Sequence, residues 1–167
     1  MVPSNIAMKI CAILICAVIL AGCTRDDICA DGTPTTPQLI ILFRDIANPT
    51  QAKSVPSLTV SVSDFTNRVV LSETTSDSIA IPLNPGTNGV TYQFIRAAGT
   101  NNPNIDYLEF SYTTEDEYVN RACGYKTIYS ELRANLQNEG TANWIIRTDT
   151  LKTNITDALE AHFVIFH

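Results

Sequence analysis

Histidine is almost missing from this chain: only His162 and His167 occur, both at the far end of 167 residues. A serine-type hydrolase needs a nucleophile, a histidine base and an orienting carboxylate, and a zinc helix needs two histidines one turn apart. Neither the G-x-S-x-G elbow nor H-E-x-x-H occurs, and glycine-rich phosphate loops and dinucleotide fingerprints are also missing. Without these patterns no catalytic residue, metal ligand or cofactor is expected, and His162 reads as an outward or partly covered strand residue. Basic residues are scarce too, 11 against 17 acidic ones. A surface of net charge −6 repels phosphate backbones, which argues against nucleic acid as a partner. No apolar run reaches the roughly 20 residues that a membrane-spanning helix requires.

What is present begins at the N-terminus. Lys9 is the only charge before residue 24, and the uncharged stretch Ile10 to Leu20 ends at Ala21-Gly22-Cys23. A positive start, a short apolar run and a small-residue cleavage site make residues 1–22 a signal peptide. Met8-Lys9 offers an alternative start to Met1, since it puts the charge at the very beginning. Leu20-Ala21-Gly22-Cys23 resembles the lipobox of bacterial lipoproteins, which implies acylation of Cys23 and a membrane partner reached through its acyl chains. Arg25-Asp26-Asp27, directly behind it, resembles the basic-plus-acidic export signal of surface lipoproteins of Bacteroidota. The location implied is the outer membrane, lipid-anchored and surface-exposed, with a periplasm-facing anchor as the alternative. An ordinary solvated linker would also carry such charges.

Removing residues 1–22 leaves 145 of the 167 residues, enough for one domain with a core. That segment holds a single basic residue, so the remainder has 10 basic and 17 acidic residues and a formal charge of −7. With Cys11 and Cys16 in the signal and Cys23 acylated, Cys29 and Cys123 are left. An even pair in an oxidising compartment favours a disulfide; two independent thiols are the alternative.

Residues 23–37 are polar, carry Gly32, Pro34 and Pro37, and show no periodicity, so they read as a tether. Residues 38–167 form the domain. Leu39 to Phe43 suits a buried strand, and apolar residues alternate through Leu58, Val60 and Val62, then Val69 and Leu71, then Ile79, Ile81 and Leu83. The pattern returns in Val90, Tyr92 and Phe94 and in Leu108, Phe110 and Tyr112, with later strands at Trp144 to Ile146 and Phe163 to Phe166. Asn84-Pro85-Gly86, Asn88-Gly89 and the stretch from Gly99 to Pro103 punctuate them. About eight to ten short strands with turns between them predict an all-β fold, an antiparallel sandwich with the immunoglobulin type among its forms.

Arg121 to Leu136 mixes two periods, and it is read as a strand to about Tyr129 followed by an irregular or helical turn. Glu115-Asp116-Glu117 lacks the spaced ligands of a calcium loop and reads as a solvated turn between strands. Tyr107 falls opposite Leu108, Phe110 and Tyr112, beside Glu109 and Ser111, and is expected to face solvent.

Several stretches taken together resemble an uncharacterised lipoprotein family of Bacteroidota, defined by sequence alone as a domain of unknown function. They are Arg25-Asp26-Asp27-Ile28-Cys29, Thr33-Pro34-Thr35-Thr36-Pro37 with Leu39-Ile40, Phe110-Ser111-Tyr112, Arg121-Ala122-Cys123-Gly124-Tyr125-Lys126-Thr127-Ile128, Trp144-Ile145 and the terminal His162-Phe163-Val164-Ile165-Phe166. The resemblance implies secretion, a single domain and a cysteine pair, and brings no activity with it. The function expected is a non-enzymatic binding or accessory module of an outer-membrane complex, with an envelope protein or glycan as partner. A hydrolase or metal-dependent enzyme acting on envelope or imported polymers is the alternative, built from carboxylates that the sequence does not single out.

Overall fold

The computed structural model describes residues 28–167. Nine strands follow in chain order: β1 (Leu39–Arg44), β2 (Val55–Val62), β3 (Val69–Ser76), β4 (Ser78–Ile81), β5 (Gly89–Arg96), β6 (Asn104–Asn120), β7 (Gly124–Leu136), β8 (Arg147–Thr150) and β9 (Phe163–Phe166). The only helical element among the described residues is a 3-10 turn at Gly140–Ala142. The strands form a four-stranded sheet ordered β4-β1-β9-β8 and a five-stranded sheet ordered β3-β2-β5-β6-β7. β1 pairs antiparallel with β4 and parallel with β9, Ile41 opposite Phe163, while β2–β3, β2–β5, β5–β6 and β8–β9 are antiparallel. The fold is the predicted all-β sandwich.

The chain divides into two compact units. The larger, Pro34–Val119 with Tyr125–His167, contains the sandwich. Its core follows from the period of two: Leu39, Ile41 and Phe43 of β1, Tyr92 and Phe94 of β5, Leu108 and Phe110 of β6, and Phe163 and Ile165 of β9 are all buried. Phe110 joins the sheets, its ring edge-on to Phe163 of the opposite sheet at 5.3 Å and to Tyr92 at 6.3 Å. Three buried tyrosines fix the segment after β4 by their hydroxyls. Tyr92 donates to the Pro82 carbonyl, Tyr129 to that of Leu83 at 3.3 Å, and Tyr112 both accepts from the Asn84 N–H at 2.9 Å and donates to its carbonyl at 3.0 Å. Burial raises all three phenol pKa values, that of Tyr129 to about 12.

β7 corrects the reading of residues 121–136. There is no helix: the strand runs to Leu136, and Glu131 lies within it at φ 56°. The left-handed residue acts as a bulge that turns the strand over. Thr127 and Tyr129 face inward before it, Leu132 after it, and the resulting step of three imitates helical spacing. Ser57, at φ 42°, does the same in β2 between buried Val55 and Leu58. The free edge of β7 is covered by loops: Tyr129 and Ile155 exchange backbone bonds of 3.1 and 2.7 Å, Leu132 N–H donates to Thr153 at 2.9 Å, and Thr127 N–H donates to Thr36 Oγ1 at 2.9 Å.

The predicted strand at Trp144 to Ile146 is also corrected. These residues are a clasp, and the strand is the polar run Arg147–Thr150 behind them. Trp144 and Ile145 are consecutive and both buried, which a half-covered strand does not allow. The Trp144 indole N–H donates to the Phe94 carbonyl at 3.1 Å, the Ile145 N–H to Asp106 Oδ2 at 2.7 Å, and Gln137 N–H to the Tyr107 carbonyl at 2.9 Å.

Asp106 is the anomaly of this core, a fully buried carboxylate whose Oδ1 has no hydrogen-bond partner. Burial pushes its carboxyl above the ordinary value of 3.8, opposed in part by the Ile145 N–H and the Asn143 amide. A carboxyl with a raised folded-state pKa binds its proton more tightly folded than unfolded. It therefore withdraws stability as pH climbs from about 3.8 through the raised value. Asp106→Asn is expected to flatten that slope, so that the denaturant midpoint of the variant gains on the wild type between pH 3 and pH 7. A gap that stays constant with pH would contradict this account of Asp106.

The smaller unit includes residues 120–124 and the described residues 28–33. Within it Cys29 and Cys123 are bonded, with Cα atoms 4.8 Å apart and a sequence separation of 94. Asn120 Oδ1 accepts from the N–H groups of Ala122 and Cys123 at 2.9 and 2.8 Å, which shapes the β6–β7 turn around the bridge.

Candidate functional site

Cys23 and the trio Arg25, Asp26 and Asp27 lie outside the described residues, as do residues 1–22, the predicted signal peptide. Of the residues picked out in the sequence, the structure brings together Cys29 and Cys123.

The acidic run is not a turn. Glu115, Asp116 and Glu117 lie within β6, a strand of 17 residues. Successive strand side chains point to opposite faces, so the three carboxylates cannot converge on one ion. Asp116 Oδ1 accepts from Thr127 Oγ1 at 2.8 Å, and Glu117 pairs with Lys126 of the neighbouring strand at 3.3 Å. Among the described residues no group of three or more His, Cys, Asp or Glu side chains is placed to hold a metal ion.

His162 differs from the outward or partly covered residue expected, because it is 2% exposed. Its Nδ1 accepts the Ile40 N–H at 3.1 Å, which places the proton of the neutral ring on Nε2. Burial is the main influence holding its pKa below the ordinary value of 6.5, opposed by Asp157. His162 lines a hollow of about 500 Å³ together with residues 151–154, Thr156 and Asp157. Lys152 on its rim is paired with Glu160. His167 is buried beside Phe43 and Trp144, and its Nε2 lies 3.1 Å from the Lys53 carbonyl. Both imidazoles are thus tied to backbone groups, and the only carboxylate lining the hollow is Asp157.

A second hollow, of about 290 Å³, opens on the outward face of the five-stranded sheet and is lined by Thr91, Tyr107, Glu109, Asn135 and Gln137. Tyr107 lies where the alternation put it, opposite the buried Asp106 and Leu108, with its ring partly exposed. Gln93 lies directly across from it on β5, and Thr91 across from Glu109. Asn135 belongs to β7 beyond the Glu131 bulge, and Gln137 is set beside Tyr107 by the backbone bond that begins the clasp. The sequence singled out Tyr107 but not its two amide neighbours, because the bulge that turns Asn135 outward has no sequence signature.

Residues 57–167 match the model of a family described as a family of unknown function, DUF6452. No curated protein and no solved structure matches the chain.

Proposed function

The chain belongs to DUF6452, a family of unknown function, and from its N-terminal residues we propose that it is a lipid-anchored lipoprotein of the bacterial outer membrane that presents a non-enzymatic binding or accessory domain at the cell surface. The observation that carries this reading is Leu20-Ala21-Gly22-Cys23, placed directly behind the uncharged run from Ile10. Acyl chains on Cys23 would each add about 0.8 kcal/mol of membrane affinity per buried methylene, so two or more chains hold the protein to the bilayer. Arg25-Asp26-Asp27 supports display on the outer leaflet. Among the described residues, the His162 hollow is lined by one carboxylate, Asp157, and the Tyr107 hollow by one, Glu109, whereas glycoside cleavage by the usual routes needs two.

The test is metabolic labelling with a radioactive fatty acid in cells expressing the full chain. The wild type is expected to be labelled and to sediment with membranes, and Cys23→Ala to lose the label and leave the membrane fraction. External protease should remove the domain from intact wild-type cells, and alanine at Asp26 and Asp27 should protect it. Labelling that survives Cys23→Ala would refute the anchor; complete protease resistance of the wild type would refute display.

A further inference from the structure

We propose that the outward face of the five-stranded sheet around Tyr107 is a binding site for neutral carbohydrate. This deepens the binding-module reading above and rests on it.

The donor and acceptor inventory carries the argument. The hollow is lined by one phenol, two carboxamides, one hydroxyl and one carboxylate, from Tyr107, Asn135, Gln137, Thr91 and Glu109. Each carboxamide both donates and accepts, as does each hydroxyl, whereas the carboxylate only accepts. A sugar presents hydroxyls that must both donate and accept, and a carboxylate can take hydrogen bonds from two neighbouring hydroxyls at once. An apolar ligand would leave most of this lining unpaired, at a desolvation cost for every polar group covered. The aromatic residue of the lining is half-buried Tyr107, and an aromatic face attracts the weakly positive C–H groups of a pyranose ring.

Charge narrows the class further. No lysine or arginine is among the lining residues, and Glu109 supplies a negative charge on a chain of net charge −6. Phosphorylated, sulfated or uronic ligands would meet repulsion from Glu109, with no cation among the lining residues to offset it. At about 290 Å³ the hollow is at the small end of ligand sites, which suits a short stretch of glycan rather than an enclosed cofactor.

The site is held in place by its supports. Tyr107 and Glu109 stand on a strand paired on both sides, within a five-stranded sheet. Gln93, across from Tyr107, is held by Ser61 Oγ at 3.4 Å and donates to Asn67 Oδ1 at 3.3 Å. Gln137 is held by its N–H bond to the Tyr107 carbonyl at 2.9 Å. The His162 hollow is also lined by polar side chains, Thr153, Asn154, Thr156 and Asp157, but its one ring is the buried imidazole bonded to Ile40, and its lining includes a cation, Lys152.

Affinity electrophoresis of the purified full chain in detergent micelles tests the site. The probes are glucan, mannan, galactan and xylan as neutral polysaccharides, with polygalacturonate and heparin as anionic ones. At least one neutral polysaccharide is expected to retard the protein. Tyr107→Ala should weaken that retardation at least tenfold, Tyr107→Phe should keep most of it, and Asn135→Ala and Gln137→Ala should each weaken it several-fold. Leu159→Ala, on a distant exposed loop, should leave it unchanged. The melting temperature of each variant is measured alongside, and if Tyr107→Ala does not fold, the two amide variants decide. No retardation by any neutral probe, retardation indifferent to all three alanine variants, or stronger retardation by the anionic probes would overturn the proposal. A protein that fails here but still depends on Cys23 for membrane attachment refutes the carbohydrate site alone, whereas one that also ignores Cys23→Ala refutes the anchor reading.

Discussion

Cys29→Ser and Cys123→Ser are each expected to lower the melting temperature by on the order of 10 °C. The bridge closes a loop of 94 positions, from before β1 to the turn after β6. In the chain-entropy model a closed loop of that length removes about 4 to 5 kcal/mol of freedom from the unfolded chain, a figure that native-state effects commonly reduce. Both single variants abolish the same cross-link, so the double variant should melt within about 1 kcal/mol of either single one. Reductant should destabilise the wild type and leave the variants unmoved. Thermal melts with and without reductant read all of this, and a wild type indifferent to reductant would show that the bridge contributes nothing.

Phe110→Ala should be comparably severe, at about 3–5 kcal/mol, because the ring is fully buried and touches aromatic neighbours in both sheets. The cavity it leaves is bounded by β-sheet on two sides, which relaxes poorly, so little of the lost packing can be recovered. Tyr107 is only three positions away but points outward, and Tyr107→Ala should cost under about 1 kcal/mol. Chemical denaturation of the two variants checks the contrast. Equal losses would mean that the facing of β6 is misassigned.

The facing of β6 was legible in the sequence because Leu108, Phe110 and Tyr112 alternate without interruption. β7 was not, because the left-handed Glu131 reverses its facing, and the step from Tyr129 to Leu132 matches a helix as well as a bulged strand. Trp144 and Ile145 are apolar for a reason that strand periodicity does not describe, since they are the inserted end of a clasp held by Asp106 and Phe94. Asp106 shares the parity of Leu108 and so falls on the inward face, but the partner of its Oδ2, the Ile145 N–H, appears only when the clasp and the sheet are seen together. The parallel pairing of β1 with β9 joins segments more than 100 positions apart, and no local pattern encodes it. Of the Tyr107 hollow, the sequence disclosed the outward aromatic and Glu109 beside it, but not Asn135 of β7 or Gln137 just past its end, whose positions depend on the register of β6 against β7.

Residues 1–22 and the cysteine behind them bear on the proposed anchor most directly, and intact mass spectrometry of the non-reduced protein extracted from membranes tests it in one measurement. The expected species begins at Cys23, carries a diacylglyceryl group on that residue, and is two hydrogens lighter than the reduced chain through the Cys29–Cys123 bridge. A species that retains residues 1–22, or one that begins elsewhere without lipid, would contradict the account.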